Sequence, residues 1–577
     1  MEMEKKNLAI IILAVVLGVS GVGNIILGSL VAVPEPSVKN TIIAGDMYGP
    51  DNLDPHELWE SAGFDIVMQI YEGLYRYDIG NIEEDQPLMP QLAAEIGTWD
   101  LDPVDPINGM ANCTIPLRQD VWFHDGTKFN AAAVKWSFDR LAYWMNISGT
   151  LPATETVSQI ESLYRWPDWT PVINRTEIVD EYTIKFVLNK PYGVFDAILT
   201  FNGAFIMSPA VTLFDTRFEV SQCVGPNGTG HRISGTGPFI FESYIAGVET
   251  RMKRWDRYYK GAAAVEKLVI NIIQDADARN NAMLAGDINV LESPHPSFYD
   301  EMRDSPKVNL VEVDSPPSSI TQYLGMNNKI INKTWRQAIS WALDYDYMID
   351  ELLEGYAARL ESPIPVGIAY SNYSSQEAYY DVTKARQVMQ SMGFGVGFTT
   401  DAQWQGASFR TLNYTYNVGN KFREDMLILL QQNMDMIGVE VIDNGKEWTP
   451  YLDLVYNRTA PGYDGLSLWF IGWIPDYNDA SNYVNSLMSN VSSGNAAQVN
   501  DHKLEMMLRA GIVETDPVER AKIYNEMQEY LCEDLMPWAW GYSSLNRDAF
   551  APNVKGFPTN PWGYSYFYPC YITVEKF

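Results

Sequence analysis

The sequence is poor in the residues and spacings that most catalysis needs. Its five histidines, His56, His124, His231, His295 and His502, are scattered over 577 residues. No H-E-x-x-H pair occurs, which excludes the helical zinc-hydrolase pattern. Neither a G-x-x-x-x-G-K-[ST] phosphate loop nor a G-x-S-x-G nucleophile elbow is present. The glycine spacing GVSGVG (18–23) lies inside an apolar run, so it is not a dinucleotide loop. His124-Asp125, in the segment FHDG, reads as a turn with a buried histidine. No cofactor and no metal are expected, and the chain is not expected to be an enzyme.

Cysteine is also scarce. Cys113, Cys223, Cys532 and Cys570 form no C-x-x-C pair, which argues against a zinc or thioredoxin-type site. A Cys532–Cys570 disulfide is the expected pairing if the chain meets an oxidising compartment. Bases are outnumbered, 41 Lys and Arg against 73 Asp and Glu, for a net charge of −32. A nucleic-acid surface needs the opposite balance, because Lys and Arg must displace phosphate counterions. The surplus describes a soluble, self-repelling surface.

Long apolar runs are absent except at the start. Residues Asn7 to Val33 carry no charge and follow Lys5 and Lys6. Such a run is long enough for a hydrocarbon core of about 30 Å, and the lysines predict a cytoplasmic N-terminus. Residues 1–37 are therefore expected to be a membrane anchor holding the remainder on the outer face of the cytoplasmic membrane. A cleaved signal segment, leaving a secreted chain, is the alternative. No cysteine follows the run to carry a lipid. Nine N-x-S/T sequons, at Asn112, Asn146, Asn174, Asn227, Asn332, Asn372, Asn413, Asn457 and Asn490, fit a glycoprotein outside the cell.

The body is too long for one core, since cores stop growing near ~250–300 residues. Strand-like and helix-like segments alternate, which implies α/β lobes. AAAVKWSFDRLAYWM (131–145) has helical spacing. So do Lys333–Gly355, Lys421–Met436 and the segment 518–531. The stretch DGLSLWFIGW (464–473) reads as a buried strand ending in a turn.

Several segments, in order, carry a family resemblance: NLDP (52–55), IYEGLYRYD (70–78), PQLAAEIGTW (90–99), PLRQDVWFHDGTKFNAAAVKWSFDR (116–140), SGTGPFIFESY (234–244), YLGMNN (323–328), WRQAISWALDYDYMIDELLEGYA (335–357) and YDGLSLWFIGWIPDYNDASNYVN (463–485). The chain resembles the family-5 solute-binding proteins of ABC transporters, the oligopeptide- and dipeptide-binding type. The resemblance implies two α/β lobes joined by a hinge, the type II periplasmic-binding-protein fold, with an extra α/β domain inserted. Mapped here, lobe I is 38–80, 206–318 and 536–577. The inserted domain is 81–205 and lobe II is 319–535. It also implies ligand capture between the lobes and delivery, as a monomer, to the permease subunits of an ABC importer.

The segment GWIPDYNDA (472–480) is the richest in site chemistry. It follows a strand, where α/β ligand crevices open. The resemblance places Asp476 at a peptide's α-amino group, with N-cap duty as the competing role. It places Trp473 and Trp448 on the pocket wall. Trp404, Trp469, Trp540 and Tyr48 are further aromatic candidates, each able to serve as core packing instead. Some dipeptide-binding members have an arginine before the helix that starts near Lys421. Here LNYTYNVGN (412–420) has none before Arg423. A strict dipeptide binder is therefore not expected: oligopeptides are the expected ligands, oligosaccharides are the alternative, and a surface sensor or structural surface protein without a transporter is the expectation of another class.

Overall fold

A computed structural model describes residues 40–79, 88–102, 104–105, 109–166, 168–217, 223–224, 231–314, 317–371, 380–457, 460–514 and 516–573. The expected anchor at 1–37 lies outside the described residues. Among those described, no helix is long and apolar enough to cross a membrane. The body from Asn40 onward forms one compact unit.

Two large mixed sheets organise it. The first runs, in spatial order, Phe239–Ile245, Glu249–Arg254, Lys267–Ile272, Thr41–Asp46, Val290–Glu292, Asn546–Phe550 and Asn309–Val313. Thr41–Asp46 sits in its middle, parallel to both neighbours. The second runs Ala357–Arg359, Trp538–Ser544, Thr321–Met326, Leu468–Trp473, Arg410–Asn417 and Val439–Lys446. Parallel pairing in each sheet requires helical crossovers that cover the faces, and this explains why Leu468–Trp473 is buried at five of its six residues. A four-stranded antiparallel sheet, Thr98–Leu101, Ala111–Pro116, Thr183–Leu188 and Ile173–Asp180, packs with the Ala131–Trp144 helix around a third core.

The chain passes between the large sheets in the stretch joining Asn309–Val313 to Thr321–Met326. It returns through Leu545 alone, between Trp538–Ser544 and Asn546–Phe550. Residues 538–544, expected in lobe I, thus belong to the second sheet, because their alternate backbone groups pair with Thr321–Met326. The return point falls nine residues later than the expected start of 536.

Two further expectations change. The helix predicted from Lys333 to Gly355 ends at Ala342. Leu343 turns extended, and the Asp344 side chain accepts the Tyr347 N–H at 2.9 Å, starting a separate short turn. Local capping by aspartate outweighs apolar periodicity there. The expected Cys532–Cys570 disulfide does not form: both are free, buried thiols. Cys532 packs with the second sheet's core and Cys570 with the first sheet's.

A buried ion pair fastens the third core to the first. Arg140, on the Ala131–Trp144 helix, grips Asp54 through two nitrogens at 2.9 and 2.5 Å, and both side chains are inaccessible to solvent. Burial works to raise the Asp54 carboxyl, but Arg140 holds it below its ordinary value. His124 is buried in its turn, with Nε2 2.9 Å from the Gly237 carbonyl, and burial depresses it to about 4.

Candidate ligand-binding site

The central strand Leu468–Trp473 ends in Ile474-Pro475, a dipeptide that cannot continue the ladder because proline lacks an N–H. The chain turns there and restarts as the Ala480–Met488 helix. Its N-cap is Asp479, which accepts the Ser481 N–H at 2.8 Å and holds Arg520 through two bonds of 2.7 and 2.8 Å. The competing role for Asp476 is thereby filled by another residue.

Asp476 is left buried, 4% exposed, without an ion-pair partner among the described residues. Its Oδ2 accepts from Asn482 Nδ2 at 2.8 Å, and its Oδ1 accepts from Trp59 Nε1 at 3.2 Å. Asn482 also accepts from the Asp476 N–H and from Trp473 Nε1, at 3.0 and 2.9 Å. One amide thus orients the carboxylate and the indole together. Burial pushes the Asp476 carboxyl up to about 7, and the two neutral donors only partly offset it.

A cavity of about 190 Å³ opens at this point. Asp476, Trp473 and Trp448 line it, as does Arg423. Trp59, Glu60, Phe201 and Asn202 contribute from the segments that precede and follow the third core. Trp59 meets Trp473 edge to face, with centroids 5.5 Å apart. Trp448 stacks flat on Tyr48, 4.4 Å between centroids and 4° between planes. That stack joins the end of the first sheet's central strand to the start of the Trp448–Tyr456 helix beside the second sheet. Tyr48 supports the wall and is not itself part of it.

Arg423 answers the missing arginine. It lies in the first turn of the Lys421–Asp435 helix, whose N-cap Asn420 accepts the Arg423 N–H at 3.1 Å. The guanidinium is buried, donates to Asn417 Oδ1 and sits 5.9 Å over the Tyr451 ring. No carboxylate pairs with it among the described residues. No arginine precedes the helix, but its start directs Arg423 itself to the cavity.

Three predicted wall residues are elsewhere. Trp404 is 2% exposed in the second sheet's core, edge-on to Phe398 at 5.4 Å. Its ring fills the space beside Gly395, whose positive φ of 63° lets the backbone pass closely. Trp540 sits on an interior strand, is buried, and packs edge-on against Trp538 at 5.7 Å. Trp469 likewise packs against the bare backbone of Gly325. Among the cavity residues that sequence reading missed are Trp59, Glu60, Asn202 and Arg423.

The cavity thus offers a carboxylate, a guanidinium and aromatic walls, which is a set for holding a zwitterion. Among the described residues no cluster of His, Cys, Asp and Glu is arranged to hold a metal ion. The description "Bacterial extracellular solute-binding proteins, family 5 Middle" matches residues 90–495. The chain belongs to this family of extracytoplasmic solute-binding proteins. It is 26% identical to heme-binding protein A of Haemophilus influenzae, over 92% of each chain. Its fold is similar to that of the periplasmic binding protein DppA of Helicobacter pylori in complex with the peptide STSA, at a TM-score of 0.77 and 21% identity, covering 92% of this chain and 98% of the other. A dipeptide-binding protein of Pseudoalteromonas, solved with Met-Leu, is similar at a TM-score of 0.77 and 18% identity, covering 92% and 100%. These neighbours support the two-lobed fold.

Proposed function

We propose that this chain is a receptor that captures short peptides between its lobes and hands them to an ABC importer. The observation that carries this reading is one cavity lined by two buried, opposite and unmatched charges, Asp476 and Arg423. A peptide's ammonium and carboxylate would complete both ion pairs. A buried charge is tolerated when it is paired and hydrogen-bonded. A neutral oligosaccharide would leave both charges without counterparts, so the sugar reading is the weaker one.

In this reading the first sheet, its helices and residues 546–573 are lobe I. The second sheet is lobe II, and the 98–188 sheet is the core of the inserted domain. The receptor works as a monomer, and residues 1–37 tether it beside its permease, raising the local concentration. The uncharged run from Asn7 to Val33 supports the tether.

Calorimetry with Ala-Ala, N-acetyl-Ala-Ala and Ala-Ala-amide tests the clamp. Arg423→Gln is expected to weaken Ala-Ala about as much as amidation weakens binding to the wild type, and amidation is expected to cost the variant little more. Asp476→Asn is expected to stand in the same relation to N-acetylation. Full, additive losses from substitution and end-capping would refute the assignment.

A further inference from the structure

The cavity holds a second carboxylate that the two-ended clamp does not use. Glu60 caps the Ser61–Ile70 helix: its Oε1 accepts the Gly63 N–H at 2.8 Å and the Asp51 N–H at 3.2 Å. Its other oxygen, Oε2, is buried and has no hydrogen-bond partner. A helix cap needs one carboxylate oxygen, so Oε2 is surplus to that role. Burial raises the Glu60 carboxyl to about 8, and the nearby Asp51 carboxylate pushes the same way.

A second orphan belongs to the same wall. Asn202 is buried and also lines the cavity. Its Nδ2 donates to the carbonyls of Pro55 and Leu58, at 2.7 and 2.9 Å, which fixes the amide's orientation. That leaves Asn202 Oδ1 buried with no donor. Buried polar atoms in a folded protein are normally satisfied, so two unmet acceptors in one cavity wall call for an explanation. Asn202 Oδ1 is an acceptor, and Glu60 Oε2 becomes one when the carboxyl ionises, so a cationic group made of donors only would satisfy both. Among peptide side chains those are the lysine ammonium and the arginine guanidinium.

We propose that Glu60 and Asn202 form a subsite for a cationic side chain, so that the preferred ligands are short peptides bearing lysine or arginine. This rests on the reading that Asp476 and Arg423 hold the peptide's two ends. A cation beside Glu60 opposes the burial that raises its carboxyl, so a basic side chain would displace the Glu60 proton and leave an ion pair in its place.

The test is calorimetry on the full-length chain with Ala-Lys, Lys-Ala, their Nε-acetyl-lysine counterparts, and Ala-Ala. Acetylation keeps the side chain's length and removes its charge. The wild type is expected to bind at least one lysine peptide about ten- to a hundredfold tighter than its acetylated form, the range of a charge-assisted hydrogen bond. In Glu60→Gln that ratio is expected to collapse toward one, whatever the change in Ala-Ala affinity. Glutamine retains the oxygen that caps the helix, and an unchanged melting temperature would show it. A ratio near one in the wild type, or a ratio that survives Glu60→Gln, overturns the subsite. Ala-Ala binding that is abolished by Asp476→Asn alongside such a ratio leaves the peptide receptor standing and removes only the subsite. Failure of every peptide to bind overturns both.

Discussion

Peptide binding at Asp476 should be steeply dependent on pH, in a direction that its environment dictates. In the free protein this carboxyl sits near 7, because burial is opposed only by the neutral donors Asn482 and Trp59. An ammonium needs the ionised form. Below pH 7 the protein must therefore release a proton to bind, and apparent affinity falls about tenfold for each further unit. For Ala-Ala the expected loss is roughly tenfold at pH 6 and roughly a hundredfold at pH 5, or about 2.7 kcal/mol at 1.36 kcal/mol per unit. Above pH 7 the carboxylate is ready, but a peptide's own α-amino group begins to deprotonate near ~7.7–8.0. The optimum thus falls between about 7 and 8. Glu60, at about 8, stays protonated along the falling limb below pH 7 and does not alter its slope. Titration calorimetry in two buffers of different ionisation enthalpy measures both the constant and the released proton. Nearly one proton should leave per peptide at pH 5, and about half at pH 7. Asp476→Asn should abolish the slope and weaken binding at neutral pH by about two to four orders of magnitude, the cost of ~3–5 kcal/mol for stranding a buried charge. A constant affinity from pH 5 to 7 with no proton release would refute the reasoning.

Two further outcomes follow from contacts outside the clamp. Asp54→Asn strips the solvent-inaccessible Arg140 of its counter-charge, so urea unfolding should show a loss of about 3–5 kcal/mol; a loss below about 1 kcal/mol would mean that the pair is not needed to hold the third core. Tyr48→Ala removes a stack that bridges the two sheets and spares the cavity wall, and such pairs are worth about 0.5–1.5 kcal/mol beyond burial. Dipeptide affinity should fall about two- to tenfold, and the ligand-free radius of gyration in small-angle scattering should rise; no change in either would show that the stack does not bias closure.

The legible parts were those with local or repeated signals. Segment order identified the family, and the resemblance pointed to Asp476 and Trp473 after the strand that ends in GWIPDYNDA, two residues that line the cavity. The helices Ala131–Trp144 and Pro517–Glu529 were legible from their apolar spacing. What could not be read was which of many aromatic residues meets the cleft. Trp404 and Trp540 have the same chemistry as Trp473. They differ only in facing Gly395 and Trp538 across distances that no spacing encodes. Glu60 and Asn202 lie 142 positions apart yet share one wall, joined by the bonds from Asn202 to Pro55 and Leu58.

Arg423 shows why residue type at a fixed position misleads. Reading for an arginine ahead of the helix found none, which counted against a strict dipeptide binder. A helix start offers more than one route to the same point in space, because its first turn projects side chains back over the preceding loop. Asn420 secures that turn and Asn417 orients the guanidinium from the end of the adjoining strand. The charge is thus delivered from within the helix, and two asparagines do the positioning. The same division of labour holds at the other end of the cavity, where Asn482 orients Asp476 while Asp479 takes over the cap. In both places a neutral amide holds a charge without neutralising it. An ion-pair partner in either position would have satisfied the charge internally and left a ligand's terminus nothing to complete.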